Sequence, residues 1–225
     1  WDLRQALSFL HHPTPDMSLT QLEDHSHPAW QRLKAEELLA QQLSQLTARR
    51  AREHLRAPAL HAARGGLHEA LLAALPFQLT GAQRRVGEEI AHDLARAQPM
   101  HRLLQGDVGS GKTAVAALAA CRAIDAGWQC ALMAPTEILA EQHFAKLVGW
   151  LEPLGITVAW LTGSQKTKQK RDMLAQVESG AAQLVVGTHA VIQDKVKFKN
   201  LALAVIDEQH RFGVAQRLAL REKMS

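Results

Sequence analysis

Apolar residues follow two different rhythms along this chain, and the change comes near residue 76. Before it, no segment reads as a strand. Asp2 to Leu10 predicts a short helix, and Pro13 and Pro15 then break the chain into a loop. Pro28 suits the first turn of a long helix, where its missing N–H costs nothing, and that helix is expected to run to about His54. Leu33, Leu38, Leu43 and Leu46, interleaved with Glu37, Gln41 and Gln42, supply its stripe at helical spacing. Pro58 and Gly65-Gly66 close the section, and Leu67 to Leu75 predicts one more short helix. Residues 1–76 thus read as a helical connector rather than a complete domain.

From Phe77 onward, short β-rich apolar runs alternate with helical ones. Thr80 and Gln83 fit the N-cap and N3 positions of a capping box, opening a helix to about Ala97. Strands are expected at Arg102–Gln105, Gln129–Ala134, Thr157–Leu161, Gln183–Val186 and Leu201–Ile206. Helices are expected at Lys112–Ala126, Glu137–Leu151 and Gln165–Gly180, with a weaker one from Gly213. That alternation predicts an α/β fold, a mostly parallel sheet covered by helices. In such sheets ligands bind at the carboxyl ends of the strands.

Composition changes this picture little. With 225 residues, 47% hydrophobic and 21% charged, the chain is an ordinary globular one. Its apolar runs are too short for a membrane span, no signal-peptide pattern opens it, and no membrane partner is expected. It begins at Trp1 and stops at Ser225, and both ends read as cut from something longer. Cys121 and Cys130 form no disulfide or metal framework; both read as small buried residues of a protein in a reducing cytosol. Although His54, His61 and His68 repeat every seven residues, Pro58 and Gly65-Gly66 prevent one helix from aligning them, and no cysteine or carboxylate completes a metal set. The formal charge is +4, gathered in Arg49, Arg50, Arg52 and Arg56, in Lys166, Lys168, Lys170 and Arg171, and in Lys195, Lys197 and Lys199. These clusters read as solvated faces or as contacts to a phosphate backbone.

Two motifs carry chemistry. Gly106, Asp107, Val108, Gly109, Ser110, Gly111, Lys112 and Thr113 fit the phosphate-binding loop G-x-x-x-x-G-K-[ST] between an expected strand and an expected helix. Its glycines let backbone N–H groups cradle phosphates, Lys112 reaches the outer phosphates, and the Thr113 hydroxyl faces Mg2+. Farther on, Asp207 and Glu208 close an apolar run. There Asp207 would hold Mg2+, while Glu208 would orient and activate the water attacking the γ-phosphate of ATP. A pair of surface acids capping a loop is the plainer reading.

Together these motifs resemble the first motor domain of superfamily 2 helicases. Ala134-Pro135-Thr136-Glu137 through His143, Leu161-Thr162-Gly163-Ser164 and Gly187-Thr188-His189-Ala190 resemble that superfamily's DNA-contacting motifs. The wording GDVGSGKT, APTEILAEQH, GTHAVIQ and DEQHRFGVAQR is similar to the RecG family, bacterial double-stranded-DNA translocases that remodel branched DNA. Transcription-repair translocases share GTH and HRFGV but typically have an acid where Gln209 stands.

The resemblance implies a RecA-like ATP-binding domain over residues 77–225, preceded by a connector, 1–76, that follows a DNA-binding wedge domain. It implies ATP and Mg2+ as ligands, branched or forked double-stranded DNA as partner, and a bacterial cytoplasmic, nucleoid-associated setting. Branch migration of Holliday junctions and reversal of stalled replication forks would be the parent's work. Pro135, Thr136, Thr162, Gly163, Thr188 and His189 would meet the DNA backbone, although Thr136 and Thr188 equally suit plain helix caps. Gln83 matches an adenine-reading glutamine, His210 a residue coupling the nucleotide to DNA-contacting elements or simply a packed histidine, and Arg211 a nucleotide sensor or a surface charge. A second RecA-like domain would complete the ATP site, so this chain is expected to bind nucleotide and hardly turn it over alone. A binding module without turnover is the rival reading; a small-molecule kinase is argued against by the tandem motifs.

Overall fold

Cys130, Ala131, Leu132 and Met133 alternate across a strand, and each is buried, so both faces of that strand need cover. A computed structural model of the chain describes residues 1–224. Residue 225, at the end of the expected motor domain, and the side chains of Val214, Arg217, Leu218 and Arg221, in and after the DEQHRFGVAQR run, lie outside the described residues. The helices are α1 (Leu3–His11), α2 (Leu19–Glu23), α3 (Pro28–Glu53), α4 (Leu67–Ala74), α5 (Gly81–Leu94), α6 (Lys112–Asp125), α7 (Glu137–Leu151), α8 (Thr167–Ser179) and α9 (Val214–Glu222). The strands are β1 (Gln129–Met133), β2 (Val158–Leu161), β3 (Leu184–Gly187) and β4 (Leu201–Ile206). They form one four-stranded sheet in the order β2-β3-β1-β4, with every pairing parallel.

The pleat sorts the core into two layers. Cys130, Leu132, Val158, Leu184, Val186 and Leu203 face one side, with Leu71 of α4, Ile90 of α5, Leu118 of α6 and Leu147 of α7. Ala131, Met133, Ala159, Leu161 and Val185 face the other, with Val177 of α8 and Leu220 of α9. In β4 the alternation breaks: Leu201 joins the second layer and Leu203 the first, across a register shift opposite Gln129 and Cys130. The Gln129 side chain, buried at the sheet's amino end, donates to the carbonyls of Val177 and Ala182 at 2.9 and 2.8 Å and accepts from Asn200 N–H at 3.0 Å. It thereby satisfies its own amide while tying three connections together. Both cysteines are buried; burial pushes the Cys121 thiol up to about 12 and the Cys130 thiol up as well.

The described residues divide into two compact units, Trp1–Leu55 and Arg56–Ser225. In the first, α1 packs on α3, Ala6 and Ala29 are buried, and the rings of Trp1, Phe9 and His27 cluster. Asp2 and Gln5 form a capping box at the start of α1. The apolar stripe on α3 is largely open, with Leu38, Leu43 and Leu46, and Leu39 beside them, all exposed.

In the second unit, residues 56–76, placed with the connector on sequence, pack into the sheet domain. Leu60, Leu71 and Leu75 are buried in its first layer. The Asp125 carboxylate at the end of α6 accepts from Leu67 and His68 N–H at 2.8 and 3.3 Å, capping α4, whose own N-cap is Gly66. The packing boundary at 55/56 therefore precedes the composition change at 76.

One expected strand is absent. Residues 102–105 carry no ladder hydrogen bonds and lie outside the sheet. Arg102 is held by side chains, its guanidinium 2.6 Å from Glu89 and 2.8 Å from Asp93, while Leu103 stays exposed and only Leu104 reaches the core. An apolar run becomes a strand only where a neighbour offers its backbone. Elsewhere the bounds move by a few residues. Helix α8 starts at Thr167, not Gln165, because the Gln165 amide turns back to bond Thr162 N–H and the Trp160 carbonyl.

Candidate nucleotide and nucleic-acid site

Helix α6 runs out from the glycine-rich loop and returns through Gly127 into the start of β1. Its N-terminus therefore lies at the carboxyl edge of the sheet, where a parallel sheet presents its ligand site. Its capping residue is Gly111, at φ +79, and Gly109 has φ +81; both lie in the left-handed region that glycine adopts without steric cost. The loop from Gly106 to Ser110, Asp107 and Val108 included, is exposed. Exposed backbone donors at the N-terminus of a well-packed helix form an anion cradle. The Lys112 ammonium donates to the Gly106 and Asp107 carbonyls at 2.6 and 2.8 Å, so reaching a phosphate means exchanging those two bonds. Thr113 is half-buried in the first turn of α6.

Gln83 sits against this loop. Its Oε1 accepts from Thr80 N–H at 2.8 Å, completing the capping box of α5, and its Nε2 donates to the Ser110 carbonyl at 2.7 Å. The capping reading of Gln83 thus holds, and one N–H and one lone pair remain for a base.

Asp207 stands at the end of β4, its N–H bonded to the Met133 carbonyl at 2.8 Å. Oδ1 accepts from Glu208 N–H at 3.0 Å, and Oδ2 lies 2.7 Å from His143 Nε2. His143 ends the stretch that resembles a DNA-contacting motif, but the sequence assigns it no link to Asp207. The contact joins residues on α7 and β4 that the chain separates by 64 positions, so no local pattern reveals it. Glu208 takes φ 50, one of two non-glycine residues with positive φ among those described. That conformation turns the chain off the strand axis, and strain of this kind concentrates at functional sites. The Glu208 carboxylate faces His210 Nε2 at 3.4 Å, and both side chains are exposed, so His210 is not a packed histidine. Arg211 is exposed as well.

The segments after β1, β2 and β3 occupy the same edge. Thr136 caps α7 through its hydroxyl, which accepts from Leu139 N–H at 3.3 Å and keeps its own proton for another acceptor. Glu137 binds the loop after β2: its carboxylate accepts from Ser164 Oγ at 2.7 Å and Ser164 N–H at 3.2 Å. The Ser164 hydroxyl holds the Glu137 carboxyl below its usual range, and His189 adds to the effect. Gly163 and His189 are exposed, and Pro135 is half-buried. Thr162 and Thr188, by contrast, are 2% and 3% exposed, and Thr188 Oγ1 has no hydrogen-bond partner. Their hydroxyls face inward rather than presenting themselves to a backbone phosphate. Lys170 Nζ donates to the Thr162 carbonyl at 3.0 Å; burial lowers its pKa, and neighbouring Lys195 adds to the shift.

A Gly-rich loop at a helix N-terminus, an acidic pair ending β4, and three further strand-end loops share one edge of a RecA-like α/β fold. The DEAD/DEAH box helicase family model matches residues 80–225, and the chain belongs to that family. It is 55% identical over 223 residues to the ATP-dependent DNA helicase RecG of Haemophilus influenzae, covering 99% of this chain and 32% of that relative. With RecG of Escherichia coli K12 it is 56% identical over 221 residues, covering 98% and 32%. The chain thus spans about a third of the length of these curated relatives. Among solved structures, RecG bound to a three-way DNA junction superposes with a TM-score of 0.73 at 44% identity, over 79% of this chain and 24% of that one. The UvsW helicase from bacteriophage T4 shares the fold at 17% identity and a TM-score of 0.53, over 72% of this chain and 56% of that one.

Proposed function

We propose that this chain is the first motor domain, with its helical connector, of a RecG-like ATP-dependent translocase acting on branched double-stranded DNA. The observation that carries the reading is one sheet edge bearing both the phosphate loop with its acidic pair and the loops after β1, β2 and β3. High identity to RecG along almost the whole chain supports the same reading. Residues 77–225 would be the motor domain and 1–76 the connector, whose last part, 56–76, packs into the motor domain's core, with a second RecA-like domain and a wedge domain supplied by the parent chain. The parent would drive branch migration and fork reversal in the bacterial cytoplasm, at the nucleoid.

The residues fit Mg·ATP. The left-handed glycines open the loop for phosphate oxygens, and a hydroxyl and a carboxylate, Thr113 and Asp207, would supply hard oxygen ligands of the kind Mg2+ takes. Bound there, Mg2+ would neutralise charge on the β- and γ-phosphate oxygens. Lys112 would trade its two carbonyl bonds for phosphate oxygens. Gln83 would offer its remaining N–H and lone pair to adenine, and Glu208, turned off the strand, would hold the attacking water. His210, beside Glu208, would relay the state of that water to the DNA-facing elements.

DNA would rest on the exposed part of the same edge: the Thr136 hydroxyl, the Gly163 backbone and His189, flanked by Pro135. Thr162 and Thr188 would shape that edge rather than touch the phosphates, since their hydroxyls point inward and their N–H groups already donate to Gln165 Oε1 and the Leu161 carbonyl. Contacts of this kind position a duplex without reading its sequence. His189→Glu puts a carboxylate on that edge and is expected to weaken binding of a three-way junction by roughly tenfold at low salt, equally for unrelated sequences. Unchanged junction affinity in a fluorescence-anisotropy titration would contradict this assignment. The transcription-repair translocase reading differs in one measurable way, because it carries no preference for a junction over linear duplex of equal length.

A further inference from the structure

The Mg·ATP reading leaves His143 without a task, yet it makes the shortest side-chain contact to the metal-side carboxylate. A carboxylate only accepts, so the His143 ring donates its Nε2–H to Asp207 Oδ2 across 2.7 Å. Both side chains are largely buried, at 17% and 27% exposure, so the bond is shielded from competing water. Oδ1 is fixed independently by Glu208 N–H. With both oxygens tethered, the carboxylate plane cannot rotate, and its outward lone pairs point in one set of directions. Helix α7 holds the other end of this arrangement. Glu137, in its first turn, grips Ser164 after β2, while His143, six residues on, grips Asp207 after β4. Since β2 and β4 are the two outer strands, α7 is pinned by polar bonds to both sides of the sheet.

We propose that His143 is a positioning residue that orients Asp207 for Mg2+ and makes α7 a strut between the DNA-facing loop after β2 and the metal site. The proposal rests on the reading of Asp207 as the metal-side carboxylate. Partners that orient a metal-binding side chain in this way are worth about 10- to 100-fold in metal affinity.

The test is titration of Mn2+ into the 225-residue chain with ATP present, following free Mn2+ by electron paramagnetic resonance, beside ATP binding in EDTA. His143→Gln places an amide N–H near the position of Nε2; His143→Asn stops short of it. The expected result is about 10- to 100-fold weaker Mn2+ binding in His143→Asn and near-normal binding in His143→Gln, with metal-free ATP affinity equal in all three proteins. Equal Mn2+ affinity in all three, or equal loss in both variants, overturns the proposal, since a packing role would not distinguish Gln from Asn. If the unaltered chain itself binds no Mn2+ with ATP, the metal-site reading fails first, and the His143 proposal fails with it.

Discussion

Gly187→Ala is expected to destabilise the chain by about 3 kcal/mol or more, enough to lower its urea midpoint visibly. Gly187 ends β3 between two parallel neighbours, in register with Met133 of β1 and Leu161 of β2. A Cβ there would overlap the Leu161 carbonyl oxygen and come within 2.9 Å of Val191 Cγ2. The obstacle is backbone, which cannot swing aside as a side chain can. Relief requires parting β2 from β3, and with them the bond from Thr188 N–H to the Leu161 carbonyl at 3.2 Å. For a domain of ordinary stability, about 5–15 kcal/mol, that loss is large. Urea unfolding followed by tryptophan fluorescence would measure it, and a change under about 1 kcal/mol would show that the strands do not approach this closely.

The second large effect concerns ligand rather than fold. Gly111→Ala is expected to lower affinity for Mg·ATP by at least about 100-fold while lowering stability by only about 1–2 kcal/mol. A non-glycine residue at φ +79 carries roughly 1–2 kcal/mol of strain. The added Cβ also falls on Gln83 Nε2. That side chain can move, but only by giving up its bond to the Ser110 carbonyl, and the N-terminal turn of α6 loses its cradle shape. Each 1.4 kcal/mol is tenfold in binding, so strain plus two or three misplaced N–H donors reaches the expected factor. The exposed loop bears little of the core, which is why stability falls less here than in Gly187→Ala. Isothermal titration that finds near-normal affinity in Gly111→Ala would mean that phosphate binds elsewhere.

How far the sequence reached depends on how local each cause is. β4 and α7 were legible to the residue, because an apolar run and an N-capped helical stripe declare themselves within a few positions. The capping box at Thr80 and Gln83 was legible for the same reason. Residues 102–105 were not, since four apolar-rich residues make a strand only if another strand lies beside them. The inclusion of α4 in the sheet domain was hidden because its cap comes from Asp125, 58 positions after Leu67. The open stripe on α3 marks the opposite limit: periodicity establishes the helix and says nothing of what covers it. At the site, glycine and lysine spacing marked the phosphate loop, yet the inward turn of Thr162 and Thr188 and the His143 tether appear only once the strand ends stand side by side.

On the proposed function, the loop before α6 and the acids after β4 form one Mg·ATP site. Calorimetric titration of Mg·ATP into the unaltered chain, Lys112→Ala and Glu208→Gln measures this. One saturable site is expected in the unaltered chain. It should be lost, or weakened by about two orders of magnitude, in Lys112→Ala, which removes charge-assisted phosphate contacts. Glu208→Gln should keep it, since that carboxylate is assigned to the attacking water rather than to ground-state binding. Binding that is indifferent to Lys112, or that collapses with Glu208 while surviving Lys112→Ala, would mean that ATP is held elsewhere.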